Sequence, residues 1–342
     1  MASMKSLVCI QPGIFQYKKI PKPLLQKEHA ILKIKRVGIC GTDLHAYEGT
    51  QPYFSYPRIL GHEIAAEIAA IDNENNFSVG DIVTVIPYFN CGNCNACKNG
   101  KPNCCTTLKV CGVHTDGAMV EYLSVPINSL VNGNNLPLDV LALIEPLAIG
   151  AHAIQRAAIK ENDFVLIIGA GPIGLATMEM AKVEGANIIT LEANENRLNV
   201  CKNVFGVRNV INAKDKNVKE QLMEITNGDM PSTVIDATGN LQAINNAFDF
   251  IAHGGKYILV GLQKEMISFS HPEFHKREAT LMSSRNATRK DFEHVINCVE
   301  KKLIEPQKFI THHIAFEKVK DEFESLLHPE NKVIKAVVNI AE

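Results

Sequence analysis

The 342-residue sequence predicts an α/β protein of two domains, one β-rich and one built on a doubly wound parallel sheet. Three observations carry this. At roughly 150 residues per domain, the length gives about two domains. Up to about residue 130, short β-branched runs are punctuated by Gly and Pro, as in a twisted, mainly antiparallel β unit. From about residue 160, continuous apolar strands alternate with helical patterns, which requires a parallel sheet covered on both faces.

In the first part, Ala30–Val37 alternates apolar Ile31, Leu32, Ile34 and Val37 with Lys33, Lys35 and Arg36. Gly61–Ile71 and Gly80–Ile86 are further strand runs. Leu138–Arg156 is apolar with helical spacing. Asp163–Ile168 then reads as a buried strand, followed by a helix through Ile173, Leu175, Met180 and Val183 and by the strand Asn187–Leu191. The alternation continues with a helix near Arg197–Phe205, strand Val210-Ile211, a helix near Val218–Thr226 and strand Ser232–Asp236. Helix Gln242–Ile251 and strand Lys256–Val260 come next. In the tail, Phe292, Val295, Ile296, Val299 and Leu303 form one helical stripe. A second helix over Phe316–Leu327 and a strand over Lys335–Ile340 follow. The expected division is 1–147 for the first domain, with a cysteine lobe at 88–111, then 148–283 for the second. Residues 284–342 return to the first, with a cleft between the two.

Composition narrows the function. Hydrophobic residues make up 46% and charged residues 21%, which excludes a mainly disordered chain. Thirty-five Lys+Arg against 37 Asp+Glu leave a net charge of −2 and no basic stripe, so nucleic acid is not an expected partner. No apolar run is long enough to span a membrane. The first residues lack an apolar signal core, which predicts a cytoplasmic protein.

Gly169-Ala170-Gly171-Pro172-Ile173-Gly174 is a G-x-G-x-x-G that follows a predicted strand and opens a helix, the setting in which this pattern binds a dinucleotide. Gly169 makes the tight turn, Gly171 lets backbone approach a pyrophosphate, and Gly174 packs helix on strand. The helix N-terminus, with Pro172 and Ile173, then stabilises the phosphates. Glu192 ends the next strand, placed to accept from the adenosine ribose hydroxyls. Its charge repels a 2′-phosphate and favours NAD over NADP, whereas Arg197 could bind that phosphate. Thr238, Val260, Gly261, Arg285 and Asn286 complete the expected cofactor-binding positions.

Six of the ten cysteines crowd between Cys91 and Cys111. Cys91-x2-Cys94-x2-Cys97-x7-Cys105 presents four thiols whose spacing suits tetrahedral zinc in a closed, structural site. An iron–sulfur cluster is the rival, but its run places the fourth Cys after three residues and follows it with Pro. Cys104 could replace Cys105 as the fourth ligand. Cys9, Cys111, Cys201 and Cys298 read as packing residues.

A second constellation comprises Gly38-Ile39-Cys40-Gly41-Thr42-Asp43-Leu44-His45, Gly61-His62-Glu63 and Glu145-Pro146-Leu147. A sulfur, an imidazole and carboxylates could form a three-ligand zinc site with an open, catalytic position.

These ordered segments, with the four-cysteine lobe and the glycine loop, resemble the zinc-dependent medium-chain alcohol dehydrogenase family over nearly the whole chain. The resemblance implies a GroES-like catalytic domain, a Rossmann domain, two zinc ions per chain and NAD(P). Carried over, it implies Cys40 and His62 as catalytic zinc ligands and, in the polyol-type branch, Glu63 as the next. Glu145 takes the remaining acidic position and reaches the metal directly, through water or in exchange with Glu63. Thr42 resembles the hydroxyl that relays the substrate proton, and His45 its outlet to solvent.

Tyr47 to Arg58 is an expected loop of aromatic and hydrogen-bonding groups suited to a polyhydroxylated substrate. Arg285 could hold a substrate carboxylate or a cofactor phosphate. The pattern resembles the sorbitol, threonine and sugar-acid dehydrogenase branch. Within it, Gln51-Pro52-Tyr53-Phe54 and Ser284-Arg285-Asn286-Ala287 look most like L-galactonate or L-gulonate 5-dehydrogenases. The expected activity is reversible, NAD-linked oxidation of a secondary hydroxyl on a sugar acid or polyol by a homo-oligomer, a dimer or tetramer. The alternatives are a sorbitol- or butanediol-type enzyme and, from another class, an inactive NAD-binding scaffold with only structural zinc.

Overall fold

Alternating residues make His29–Gly38 the central strand of the first unit, with Ala30, Leu32 and Ile34 fully buried. In the computed structural model, which describes residues 2–52, 54–73, 76–133 and 135–341, the chain divides into two compact units. The first comprises residues 1–145, 287–300 and 305–342; the second comprises 146–286 and 301–304.

In the first unit, His29–Gly38 pairs antiparallel with Glu63–Ile71, from Ala30↔Ile71 to Gly38↔Glu63. This register sets the segment carrying Cys40 beside the one carrying His62. The sheet runs Leu130–Asn132, Ile82–Val85, Glu63–Ile71, His29–Gly38, Lys335–Asn339, Ile310–Ala315, and Tyr122–Pro126 also pairs with His29–Gly38. All its pairings are antiparallel except the last, Ile310–Ala315 on Lys335–Asn339. Two smaller pieces accompany it. A hairpin of Ser3–Gln11 and Ile14–Pro21 turns at Gly13, whose φ of +73° favours glycine. A two-strand ribbon, Tyr88–Phe89 with Lys109–Val110, brackets the cysteine lobe.

In several places the chain departs from its sequence pattern. Leu138–Arg156 is two helices, Leu138–Ala142 and Ile144–Ala157, with Leu143 as the break. Helix Arg289–Glu300 buries Phe292, Val295 and Ile296, but Leu303 lies beyond its end and is 56% exposed. Phe316–Leu327 is a succession of short turns, Phe316–Lys318, Val319–Glu322 and Phe323–Leu327, in place of one helix. Tyr47 is not in a loop: it belongs to helix Gly41–Glu48 and stacks on Phe15 in the core. Tyr53 lies outside the described residues.

The second unit is a six-stranded, all-parallel sheet. Its order is Asn209–Asn212, Asn187–Glu192, Phe164–Ile168, Thr233–Asp236, Lys256–Leu259, Thr280–Ser283. Numbered along the chain this is 3-2-1-4-5-6, the doubly wound order with its switch point between Phe164–Ile168 and Thr233–Asp236. The sixth strand, Thr280–Ser283, pairs in parallel with Lys256–Leu259 and closes that edge of the sheet. Leu166, Ile189, Val234 and Tyr257 are fully buried in its core. No described helix is long and apolar enough to cross a membrane.

Candidate active site

Seven of the residues expected to bind metal fall into two clusters, both in the first unit. In the lobe, the sulfurs of Cys91, Cys94, Cys97 and Cys105 all lie within 4.8 Å of one another. Cys104 is exposed and outside the set. Backbone N–H groups converge on these sulfurs: Cys91 N donates to Cys105 Sγ at 3.3 Å and Cys94 N to Cys91 Sγ at 3.4 Å. Hydrogen bonds from the Cys97 and Thr106 backbone hold the Cys94 thiol down at about 5, so a thiolate forms readily there. This is the donor chemistry of a closed tetrahedral zinc site.

The other cluster joins Cys40, His62 and Glu63, whose ligand atoms also lie within 4.8 Å of one another. Cys40 is the N-cap of helix Gly41–Glu48, while His62 and Glu63 enter strand Glu63–Ile71 and are buried. The Cys40 sulfur lies close enough to the His62 ring to act on its charge. His62 Nδ1 is buried without a hydrogen-bond partner among the described residues. Burial opposes charge on His62, yet Cys40, Asp43 and Glu145 outweigh it and hold its pKa well above the usual range. Such a crowd of electron-rich donors around one buried imidazole fits a divalent cation.

Two acids serve this cluster differently. Glu63 Oε1 and Oε2 accept from the buried Lys335 ammonium at 2.6 and 2.8 Å, and Lys335 also donates to Ile39 O at 3.0 Å. Burial disfavours the Lys335 charge, but Glu63 and Cys40 raise its pKa, so it stays protonated. Glu145, at the start of helix Ile144–Ala157, is outside the tight set and accepts a hydrogen bond from the Tyr88 phenol. Burial pushes Glu145 up to about 7. Sequence reasoning missed Lys335, Tyr88 and Asp43; they come from distant segments or lack a motif of their own.

Thr42 and His45 lie on the same helix at i,i+3 and share a face. Thr42 is half-buried. The His45 side chain is 62% exposed, with Nδ1 3.2 Å from Thr50 Oγ1 and 3.3 Å from Glu48 Oε2. No hydrogen bond joins Thr42 to His45 among the described residues.

In the second unit the expected cofactor positions follow the carboxyl ends of the parallel strands. Gly169 and Gly171 follow Phe164–Ile168, Thr238 follows Thr233–Asp236, Val260 and Gly261 follow Lys256–Leu259, and Arg285 and Asn286 follow Thr280–Ser283. Gly169 has φ of +93°, and a Cβ on Gly174 would lie 1.9 Å from Gly169 O. By contrast, a Cβ on Gly171 would meet only Arg197 Nη1, at 3.8 Å, so space is left over that turn. Pro172 and Ile173 begin helix Pro172–Val183. Glu192 ends its strand and accepts backbone N–H bonds from Ala170 at 2.7 Å and from Ala193 and Asn194 at 2.8 Å. Thr238 is tied to Asp236, and Asn286 has φ of +55°.

Residues 26–135 match the alcohol dehydrogenase GroES-like domain and residues 172–301 the zinc-binding dehydrogenase family. The chain is 41% identical over 342 residues to an L-galactonate-5-dehydrogenase of Escherichia coli (strain K12), covering 99% of each. It is 32% identical over 320 residues to a sorbitol dehydrogenase of Halalkalibacterium halodurans, covering 90% of this chain and 92% of that one. A crystal structure from E. coli CFT073, described as a short chain alcohol dehydrogenase (rspB) complexed with NADH, superposes with a TM-score of 0.93. It is 32% identical, over 99% of this chain and 100% of that one. With both domains matched in order and relatives similar along their whole length, the chain belongs to the zinc-binding, GroES-like alcohol dehydrogenase family.

Proposed function

We propose that this protein oxidises a secondary alcohol on a sugar acid to the ketone, reversibly and with NAD, with aldonates of the L-galactonate or L-gulonate type as substrates. The observation that carries the chemistry is the Cys40–His62–Glu63 cluster, its imidazole and carboxylate buried, with Glu145 near enough to act on the His62 charge. The substrate class rests on the 41% identity to an L-galactonate-5-dehydrogenase. The NADH in the rspB structure supports the cofactor choice.

When bound, zinc supplies a Lewis acid for the alcohol oxygen and NAD the hydride acceptor. Cys40, His62 and an acid from Glu63 or Glu145 hold the catalytic ion. Cys91, Cys94, Cys97 and Cys105 hold the ion that braces the lobe. The Thr42 hydroxyl accepts the substrate proton as it gives up its own, and His45, open to solvent, is where the relayed proton leaves. The glycine turn at 169–174 seats the pyrophosphate at the start of helix Pro172–Val183, and Glu192 accepts from the adenosine ribose. A carboxylate has about four acceptor sites, so its three backbone bonds leave capacity for the ribose.

An NAD-linked assay of the zinc-loaded protein over aldonates and alditols tests this. The highest kcat/KM is expected on L-galactonate or L-gulonate. Preference for sorbitol or butanediol would replace the substrate assignment. No turnover on any of them would favour an inactive scaffold, a reading that the dehydrogenase relatives do not support.

A further inference from the structure

Tyr88 and Glu145 stand 57 residues apart in the chain and are both buried, at 7% and 3% exposure. The phenol of Tyr88 donates to Glu145 Oε1. One carboxylate oxygen is thereby engaged and the other is left to serve a different partner. Glu145 lies close enough to His62 for their charges to interact. Tyr88 is itself held firmly. It pairs with Val110 across the ribbon Tyr88–Phe89/Lys109–Val110, and Cys111 N donates to Pro87 O at 2.9 Å. The excursion between the two strands of this ribbon contains all four lobe cysteines, Cys91 to Cys105.

We propose that Tyr88 is a positioning residue for the catalytic metal: anchored by the cysteine lobe, its phenol orients the Glu145 carboxylate toward the ion held by Cys40 and His62. This rests on the reading of Glu145 as an acid of that metal site. It gives the lobe a second task besides bracing, because the strands that close the lobe also aim a hydrogen bond at the other metal centre. A Tyr that only satisfied its own hydroxyl in the core would affect stability and leave the metal's coordination as it was.

The test uses the full-length protein with zinc in both sites, and the same protein with Co2+ exchanged into the chelator-labile site. Tyr88→Phe, Glu145→Gln and the double variant are compared with the original chain. Two quantities are read: the rate at which a chelator strips the labile metal, and the visible absorption bands of the cobalt protein. Partners that orient metal ligands are worth about 10- to 100-fold in metal affinity. Tyr88→Phe is therefore expected to lose the labile metal about 10- to 100-fold faster and to shift the cobalt bands in the same sense as Glu145→Gln. The double variant should be no worse than Glu145→Gln alone, since the two residues act in one chain of contact. One zinc per chain should resist the chelator in every variant.

Unaltered stripping rate and bands in Tyr88→Phe, with both altered in Glu145→Gln, would overturn the role of Tyr88 and leave Glu145 as the acid. If Glu145→Gln alters neither, the reading of Glu145 fails and the proposal fails with it. Should Tyr88→Phe not fold, 3-fluorotyrosine at position 88 keeps the ring and hydroxyl and strengthens the donor. It is expected to shift the cobalt bands opposite to Glu145→Gln, and unshifted bands would overturn the proposal.

Discussion

Asp43 is buried, and its carboxylate accepts from Cys40 N at 2.9 Å and from Gly61 N at 3.1 Å, tying together the two segments that carry the sulfur and the imidazole. Its Oδ1 also lies 3.9 Å from His62 Nδ1, the ring nitrogen with no hydrogen-bond partner among the described residues. Burial raises the Asp43 pKa, while His62 and the Cys40 and Gly61 N–H groups act in the opposite direction. A carboxylate that accepts from the second ring nitrogen of a ligating histidine orients it, and Asp43 Oδ1 is the acceptor that faces this nitrogen. Asp43→Asn is expected to weaken binding of the catalytic zinc by about 10- to 100-fold in a chelator competition; wild-type affinity would remove Asp43 from that role. Glu192→Ala is expected to raise the KM for NAD and to narrow discrimination against NADP, measured by steady-state kinetics with each cofactor. Unchanged cofactor preference would mean that Glu192 does not read the ribose. Its bond to Ala170 N also means that the variant loosens the glycine turn itself.

At the scale of elements, the cysteine lobe and the glycine turn were legible because each is a local pattern. Four thiols at short spacing have one economical arrangement, and a turn at Gly169 with a close approach at Gly174 requires glycine. Cys94→Ser should therefore lower the melting temperature, followed by thermal unfolding, before it alters turnover. Turnover lost with the melting temperature unchanged would contradict a bracing role. Elements whose ends depend on distant partners were not legible. The Tyr17 hydroxyl donates to Phe316 O, taking up a carbonyl that a continuous helix would use, and Phe316–Leu327 breaks into short turns. Tyr47 reads like its aromatic loop neighbours, yet Gly49, at φ of +78°, ends the helix only after Tyr47 has turned into the core. Leu303 continues a periodic stripe past Glu300, where the helix has already stopped.

At the scale of the molecule, the first unit closes only when the chain returns to it. Lys335, on the strand Lys335–Asn339, reaches Glu63 across 272 residues of sequence, and its side chain and that of Glu63 are 2% and 0% exposed. No spacing rule could have paired them. Removing one partner of a buried ion pair typically costs about 3–5 kcal/mol. Lys335→Ala is expected to lose stability of that order in chemical denaturation, and a loss below about 1 kcal/mol would show that Glu63 finds another partner. The proposed chemistry depends on an ion gripped by Cys40. Its most direct test is the zinc content per chain of Cys40→Ser beside the wild type, after removal of loosely held metal, with NAD-linked turnover measured on the same samples. Two zincs and turnover in the wild type, against one zinc, a folded chain and near-complete loss of turnover in the variant, are predicted. A Cys40→Ser protein that keeps both zincs and its turnover would contradict it.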